Sequence, residues 1–381
     1  MSAARQAAGN GADLLLASGG SGGHIYPALA VAGEAKALGL KVMFLGQKGG
    51  MEERLVPAAG VDFTGVAAGK WHRGSPRAGQ AIQAAAGVVQ AWQAVRRIRP
   101  RVALGFGGFA SFPGSLAALN CGVPLALYGG DAFPSKVNRW LAPRAQLVIV
   151  AQAEALTHLR RVRRSLVVPY PVRERREQRG PARARLGLPP QGLVTLVMGG
   201  SQGSATLNRE VPAAYRELLA SLKQTPRPES AGATGEADAV LTMQVLHAAG
   251  HGNAAALRAS TAGWPNYHVF DYLDAPDAWA AADLAITRAG IGTISEAAFN
   301  GVPLVMVPLP SSAEDHQLHN ARAVEAVGAG LVVEEQQLAG LVPAWRELLQ
   351  PRVRSAAAAA AKARSPDGAA RKILDAVMEL T

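Results

Sequence analysis

Two short apolar runs, each ending in a glycine-rich loop that opens into a helix, restrict the folds open to this chain more than any other feature. Leu14-Leu15-Leu16-Ala17 leads into Ser18-Gly19-Gly20-Ser21-Gly22-Gly23-His24, then Pro27 and a helical pattern over residues 28–38. The same grammar returns at residues 193–198, followed by Gly199-Gly200-Ser201-Gln202-Gly203-Ser204 and a helix-compatible segment from Leu207. Two such openings predict two similar α/β domains in tandem, each a doubly wound parallel sheet. Further short apolar runs supply the strands: 42–45, 102–105, 125–128 and 147–150 in the first half, and 244–247, 268–270, 284–287 and 304–307 in the second. Strands covered on both faces read this way.

The domains are expected over residues 1–168 and 169–350, with the Arg-rich, Pro-punctuated stretch 160–190 as the interdomain region. Residues 224–238, rich in Pro, Ser, Gly and Glu, read as a flexible surface insertion. Residues 355–364 and 369–380 read as terminal helices, and a C-terminal helix over about 364–381 is available to pack back on the first domain. A single cysteine, Cys121, excludes a disulfide framework and a Cys-based zinc site. The first residues lack a charged lead into an apolar run, so no signal peptide is expected. The longest uncharged stretch, 102–130, is broken by Gly107, Gly108, Pro113, Gly122 and Pro124, so no transmembrane helix is expected either.

Charge is distributed unevenly. Residues 1–170 hold 19 Lys and Arg against 7 Asp and Glu, while the remainder holds 20 against 21. A basic first half points to an anionic partner, and without a nucleic-acid-reading motif a membrane surface ranks above nucleic acid.

Backbone N–H groups of a glycine-rich loop, at the positive end of a helix dipole, suit a diphosphate. Tight turns use the same glycines. Neither loop carries the Lys of a P-loop, and no acidic residue ends a second strand as NAD binding would require. Gly105-Phe106-Gly107-Gly108-Phe109-Ala110-Ser111-Phe112-Pro113 is either the acceptor side of a cleft or a close-packed turn. In Thr287-Arg288-Ala289-Gly290-Ile291-Gly292-Thr293-Ile294-Ser295-Glu296, the carboxylate of Glu296 can accept two hydrogen bonds from a ribose diol. The alternative there is a capping box in which Thr293 caps and Glu296 closes back. His316, Gln317 and Asn320 stand at helical spacing and suit a hydroxyl-rich ligand, and His24, directly after a phosphate-type loop, is the best-placed general base. No Asp-x-Asp metal clasp accompanies them, so no metal or other cofactor is expected, and diphosphate charge falls to loops, helix ends and cations such as Arg173.

Together GGSGGHIYPALAVA, GFGGFASFPGSLAA, GGSQGSATLN and TRAGIGTISEAAFNGVPLVMVPLPSSAEDHQLHNA closely resemble, in order and spacing, the MurG family of N-acetylglucosamine transferases, which convert lipid I to lipid II in peptidoglycan synthesis. The resemblance runs from Gly19 to about Ala321. It implies a GT-B fold, two Rossmann-like domains facing across a cleft, with the lipid-linked acceptor on the first and UDP-N-acetylglucosamine on the second. It implies inverting transfer to the acceptor's 4-hydroxyl, with His24 as base. Ser21, Gly22 and Gly23 then form the first phosphate-type loop, Ser201, Gln202 and Gly203 hold the donor diphosphate, and Arg173 contacts the donor. Residues Ile291, Gly292, Thr293, Ile294, Ser295 and Glu296 hold the nucleoside, Gln317 and Asn320 face the sugar, and Tyr272 lies near the uracil. Gly107, Gly108, Phe109 and Ser111 stand on the acceptor side. A peripheral location on the cytoplasmic face of the membrane follows, through Lys70, Trp71, Arg73, Arg77, Val88, Val89, Trp92, Arg96, Arg139 and Trp140; Val88 and Val89 equally suit a helix face turned to the sheet.

The chain departs from the family's pattern in three places. Ser21 stands where the family usually has Thr, Tyr128-Gly129-Gly130-Asp131 where it reads His-Glu-Gln-Asn, and Tyr170 where it has Asn before Pro171. The second departure removes a carboxylate proposed to assist the acceptor and puts Asp131 at a donor-contacting Asn. Two other readings share the second-half motifs: another GT-B UDP-sugar enzyme, such as a glycolipid glycosyltransferase or epimerase, and a non-catalytic UDP-sugar-binding protein.

Overall fold

Leu14, Leu15, Leu16 and Ala17 are all buried, as a strand covered by helices on both faces must be. The computed structural model describes residues 11–67, 78–200, 203–224, 240–365 and 367–381. They belong to two compact units, Met1–Arg173 with Gly368–Thr381, and Glu174–Asp367. In the first, β1 (Leu14–Ala17), β2 (Val42–Gln47), β3 (Asp62–Val66), β4 (Val102–Gly105), β5 (Leu125–Gly129), β6 (Leu147–Val150) and β7 (Ser165–Val167) form one parallel sheet in the order β3-β2-β1-β4-β5-β6-β7. In the second, β8 (Val194–Met198), β9 (Gln244–Ala248), β10 (Tyr267–Phe270), β11 (Leu284–Thr287), β12 (Leu304–Met306) and β13 (Gly330–Val332) give β10-β9-β8-β11-β12-β13, again parallel. The strand order reverses beside β1 in one sheet and beside β8 in the other. A doubly wound sheet binds ligands outside the carboxyl ends of its strands at that point, and the two glycine loops leave from there.

The sequence reading overlooks β3, β7 and β13, all of which are edge strands. β3 carries Asp62 and Thr64 and so lacks the apolar run of a central strand, while β7 is three residues long, exposed, and directly follows the Arg-rich run 160–164. The first helix begins at Gly22 and contains Pro27, rather than starting after it. A proline lacks an N–H, so Gly23, four residues earlier, loses its intrahelical partner. The Tyr170 hydroxyl donates to that carbonyl at 3.0 Å and takes the missing N–H's place.

The stretch 160–190 is not a linker throughout. The chain passes between units at Arg173/Glu174, and the helix Arg179–Arg185 packs on the helix Ala275–Ala281. Its Arg183 is buried, donating to the carbonyls of Ala281, Pro190 and Gly192 and to Asp283, and burial lowers its pKa. The helix Ala369–Met378 returns to the first unit and buries Ile373, Leu374 and Val377 beside the helix Gly22–Ala37. Of the insertion at 224–238, Gln224 ends the helix Ala205–Gln224 and the rest lies outside the described residues, as do Lys70, Trp71, Arg73, Arg77, Ser201 and Gln202. Among the described residues no helix is long and apolar enough to cross a membrane.

Candidate active site

Beyond β1 the chain runs through Gly19 and Gly20, at φ 149° and 83°, into Ser21, the extended N-cap of the helix Gly22–Ala37. A serine there ordinarily accepts from an N–H of the first turn, which is worth about 1 kcal/mol. Here the hydroxyl makes no such bond and instead lies 2.9 Å from Nδ1 of His24. The hydroxyl that would cap the helix holds the imidazole instead. For Nε2 to take a proton, Nδ1 carries the ring hydrogen and donates it to Ser21 Oγ. The main chain is held as well, since Ser18 Oγ donates to the His24 carbonyl at 2.7 Å.

Beyond β4, Gly108 has φ 72° and ψ 161°, a region essentially reserved for glycine. A Cβ there would lie 3.2 Å from Cε1 and Nδ1 of His24, so the imidazole rests against bare backbone. Phe109 covers Gly20 in the same way, 3.0 Å from where its Cβ would be. The two loops are thus packed into one another. Ser111, expected on the acceptor side, is instead buried, its hydroxyl turned back onto the Gly108 carbonyl at 3.0 Å, where it braces the turn.

Below the first loop lies Glu52, fully buried. It accepts from the N–H of Gln47 at 2.9 Å and of Gly20 at 3.4 Å, in space that side chains at Gly19, Gly46 or Gly50 would fill. At the end of β5, Tyr128 is 1% exposed and stacks on Phe106 at 5.6 Å. Among the described residues its hydroxyl has no hydrogen-bond partner, and burial, then Tyr170 and Asp131, push its pKa well above the ordinary phenol value. Asp131 is half-buried in the loop beyond. Asn138 fills this wall: it is buried, its N–H donates to Ser135 Oγ, and its Nδ2 donates to the Tyr128 carbonyl at 3.0 Å.

In the second unit, Gly203 has φ 76°, and a Cβ on it would strike the Ala249 carbonyl. That carbonyl accepts from Asn208 Nδ2, leaving Asn208 Oδ1 to accept from Nε2–H of His247, whose Nδ1 then accepts from the Tyr267 hydroxyl. Burial lowers the His247 pKa to about 3, consistent with this neutral tautomer. Arg288, at the end of β11, is buried and ties three loops together, donating to Ser204 Oγ, the Val307 and Pro308 carbonyls and Glu335. Burial acts to raise the Glu335 pKa, but hydrogen bonds from Thr206 and Arg288 outweigh it and hold the carboxyl below its ordinary value.

The helix Ile291–Asn300 starts at Gly290 with no side-chain cap, so its first-turn N–H groups have no intrahelical partner. Thr293 is inside the helix, which removes the capping-box alternative: Glu296 lies a turn too far on to close that box. Ile291, Ile294 and Ser295 turn inward, leaving Gly292, Thr293 and Glu296 partly exposed. The side chains of Ile291, Ile294 and Ser295 lie on the buried face of the helix. Glu296 Oε2 accepts from the indole N–H of Trp279 at 3.0 Å.

Gln317 Oε1 accepts from the N–H groups of Leu309 at 3.0 Å and Ala289 at 3.3 Å. Only an oxygen can sit between two donors, so the amide is left with its NH2 as the group for a ligand. Asn320, expected at the sugar, is fully buried and donates to the Ala289 carbonyl at 3.4 Å, bracing the turn that Gln317 also holds. Tyr272 is 74% exposed, and Arg173 is exposed at the crossover between units.

Comparison with known proteins fixes the family. Residues 14–150 match the glycosyltransferase family 28 N-terminal domain and residues 194–372 its C-terminal domain. The UDP-N-acetylglucosamine--N-acetylmuramyl-(pentapeptide) pyrophosphoryl-undecaprenol N-acetylglucosamine transferase of Deinococcus deserti is 43% identical over 378 residues, spanning 96% of this chain and 97% of its own. The chain belongs to the MurG family. The Thermus thermophilus member of the same name is 38% identical over 363 residues, 95% of this chain and 98% of that one. A crystal structure of MurG from Acinetobacter baumannii matches with a TM-score of 0.74 at 26% identity, over 96% of this chain and 99% of that one. The two Rossmann-like sheets accordingly belong to the GT-B class.

Within the family, Tyr170 is the departure whose effect is clearest, since its hydroxyl caps Gly23 beside the His24 loop. Four residues shape these sites without a role in the sequence reading: Glu52, Asn138, Trp279 and Arg288. Only Asn138 carries a local signal, three residues after a capping serine. The outer face of the helix Ala78–Ile98 shows Val89 and Trp92 exposed, with the Arg96 guanidinium 4.6 Å over the Trp92 ring, and Val88 half-buried. Trp140 is likewise exposed, between Phe112 at 5.4 Å and the Arg144 guanidinium at 4.8 Å.

Proposed function

We propose that this protein transfers N-acetylglucosamine from UDP-N-acetylglucosamine to the 4-hydroxyl of the muramyl sugar of lipid I, with inversion, giving lipid II for peptidoglycan synthesis. The observation that carries the reading is the whole-length likeness to transferases of that name, at 43% identity in the Deinococcus deserti protein. The acceptor oxygen bonds to the anomeric carbon as the bond to the diphosphate breaks, and His24 Nε2 takes the hydroxyl proton. Its ring is aimed by Ser21 and Gly108, so little reorganisation is needed at the moment of transfer. The leaving diphosphate's charge falls to the N–H groups of the loop at Gly203, the open first turn at Ile291 and Arg173, with Ser201, Gln202 and Asp131 contributing, and no metal is required. Glu296 holds the ribose diol, Tyr272 covers the uracil, and the Gln317 amide donates to the sugar hydroxyls, while Asn320 acts through the turn it braces.

Lipid I is carried by the membrane, and the basic first half supports a peripheral position on its cytoplasmic face. Exposed Trp92 and Trp140, each with an arginine over its ring, suit an anionic headgroup layer. In that position the protein serves cell-wall growth and, through it, cell shape and division.

The test is transfer of radiolabelled N-acetylglucosamine from its UDP form to a lipid I analogue. His24→Ala should lower turnover by about 10²–10⁴-fold with UDP binding kept, and Glu296→Gln should weaken donor binding. UDP binding by the native chain with no transfer to any lipid I analogue would sink the reading and turn attention to Tyr128 and Asp131.

A further inference from the structure

Glu296 is a flexible side chain asked to meet a rigid diol. It sits in the second turn of its helix and is partly exposed, so unaided it would sample several rotamers and have to be ordered each time a nucleotide bound. The structure supplies a restraint from outside the helix. Trp279 belongs to the helix Ala275–Ala281, is 2% exposed, and directs its indole N–H to Oε2 of Glu296 at 3.0 Å. Trp279 belongs to the buried hydrophobic cluster that also holds Leu246, Leu273, Ala278, Ile294 and Val302, so the donor's position is set by the core rather than by solvent. An indole has one N–H and no acceptor, which makes its only polar demand one that a carboxylate oxygen meets. The Glu296 main chain is also held, its carbonyl accepting from Asn300 Nδ2 at 2.9 Å.

We propose that Trp279 is a positioning residue for ribose recognition. Its N–H occupies one lone-pair site of Oε2 and fixes the plane of the carboxylate, so that the ribose diol meets it in a set orientation. The inference rests on the reading that Glu296 binds the ribose. Trp279 touches no substrate. Its contribution is preorganisation, felt as discrimination between nucleotides that have a 2′-hydroxyl and those that lack it.

The experiment measures binding of UDP and of 2′-deoxy-UDP to the full chain by calorimetry, for the native protein, Trp279→Phe, Glu296→Gln and the double variant. Phenylalanine keeps a ring in the core and removes the donor. Trp279 also lines a solvent-open pocket of about 500 Å³, together with Phe299, Asn300 and Val302. Trp279→Leu, which also removes the donor, is read in the same way if the phenylalanine form does not accumulate. The native protein should prefer UDP by at least about tenfold. Trp279→Phe should lose most of that preference, with a raised donor KM and nearly unchanged kcat, and should add nothing further in the Glu296→Gln background.

A fall in thermal stability with the UDP preference intact would make Trp279 a packing residue and overturn the proposal. Loss of preference in Glu296→Gln but not in Trp279→Phe would overturn it while leaving the ribose role of Glu296 standing. Full preference in Glu296→Gln would remove that role and the proposal together.

Discussion

Tyr170→Phe is the perturbation whose consequence can be followed most directly from sequence to energy. Pro27 has no N–H to give the Gly23 carbonyl, and the Tyr170 hydroxyl donates to it at 3.0 Å from a side chain that is itself buried. Removing the hydroxyl leaves a half-buried acceptor short of a partner, at a cost of about 1–2 kcal/mol. For domains of 150–250 residues that corresponds to a fall in Tm of roughly 2–8 °C. The decisive arm is Pro27→Ala, which restores a main-chain N–H four residues after Gly23. Whatever alanine does to the helix it does with or without Tyr170, so that effect cancels in a double-mutant cycle. What survives is a coupling of about 1 kcal/mol, with Tyr170→Phe nearly harmless once residue 27 can donate. Urea unfolding of the four proteins, followed by circular dichroism, measures it. Strict additivity would refute the claim that tyrosine substitutes for the missing N–H.

Gly108→Ala forces a side chain into a backbone region that costs about 1–3 kcal/mol and against the His24 ring. Steady-state kinetics should show kcat down by about tenfold to a hundredfold with UDP binding little changed. Because His247 titrates near 3 when folded and near 6.5 when unfolded, the unfolded chain alone binds a proton between those values. Stability is therefore undiminished above about pH 6.5 and declines as pH falls toward 3, by roughly 2 kcal/mol at pH 5; urea midpoints at pH 7 and 5 should show this slope, and His247→Gln should flatten it. Arg288→Met strips Glu335 of its ion partner and should cost about 3 kcal/mol in thermal unfolding, largely recovered by Arg288→Met with Glu335→Leu.

What could be read from the sequence divides along a physical line. Central strands such as Val102–Gly105 and Leu284–Thr287 are buried on both faces and declare themselves as apolar runs, whereas the edge strand β3 carries polar residues and the edge strands β7 and β13 are only three residues long. The glycine loops were legible because these strand-to-helix turns demand glycine at particular positions, as the positive φ of Gly19, Gly20, Gly200 and Gly203 shows. Pairings across the fold were not: Trp279 with Glu296, or Arg288 with Ser204 and Glu335, join residues whose proximity only the folded sheet creates. The same blindness explains Ser111, Asn320 and Ile294. Their residue types suit a ligand or a helix face, but which way each turns depends on what its helix packs against.

The helix Ala369–Met378 completes the first unit although the ribosome makes it after the entire second unit. Until it arrives, the helix that carries His24 lacks one of its neighbours. A nascent chain can thus finish its second unit while the half that carries His24 is still open. Synthesis order then leaves that basic, incompletely packed half as the segment most in need of a chaperone, and one on which a protease would act first in any chain cut short after Asp367.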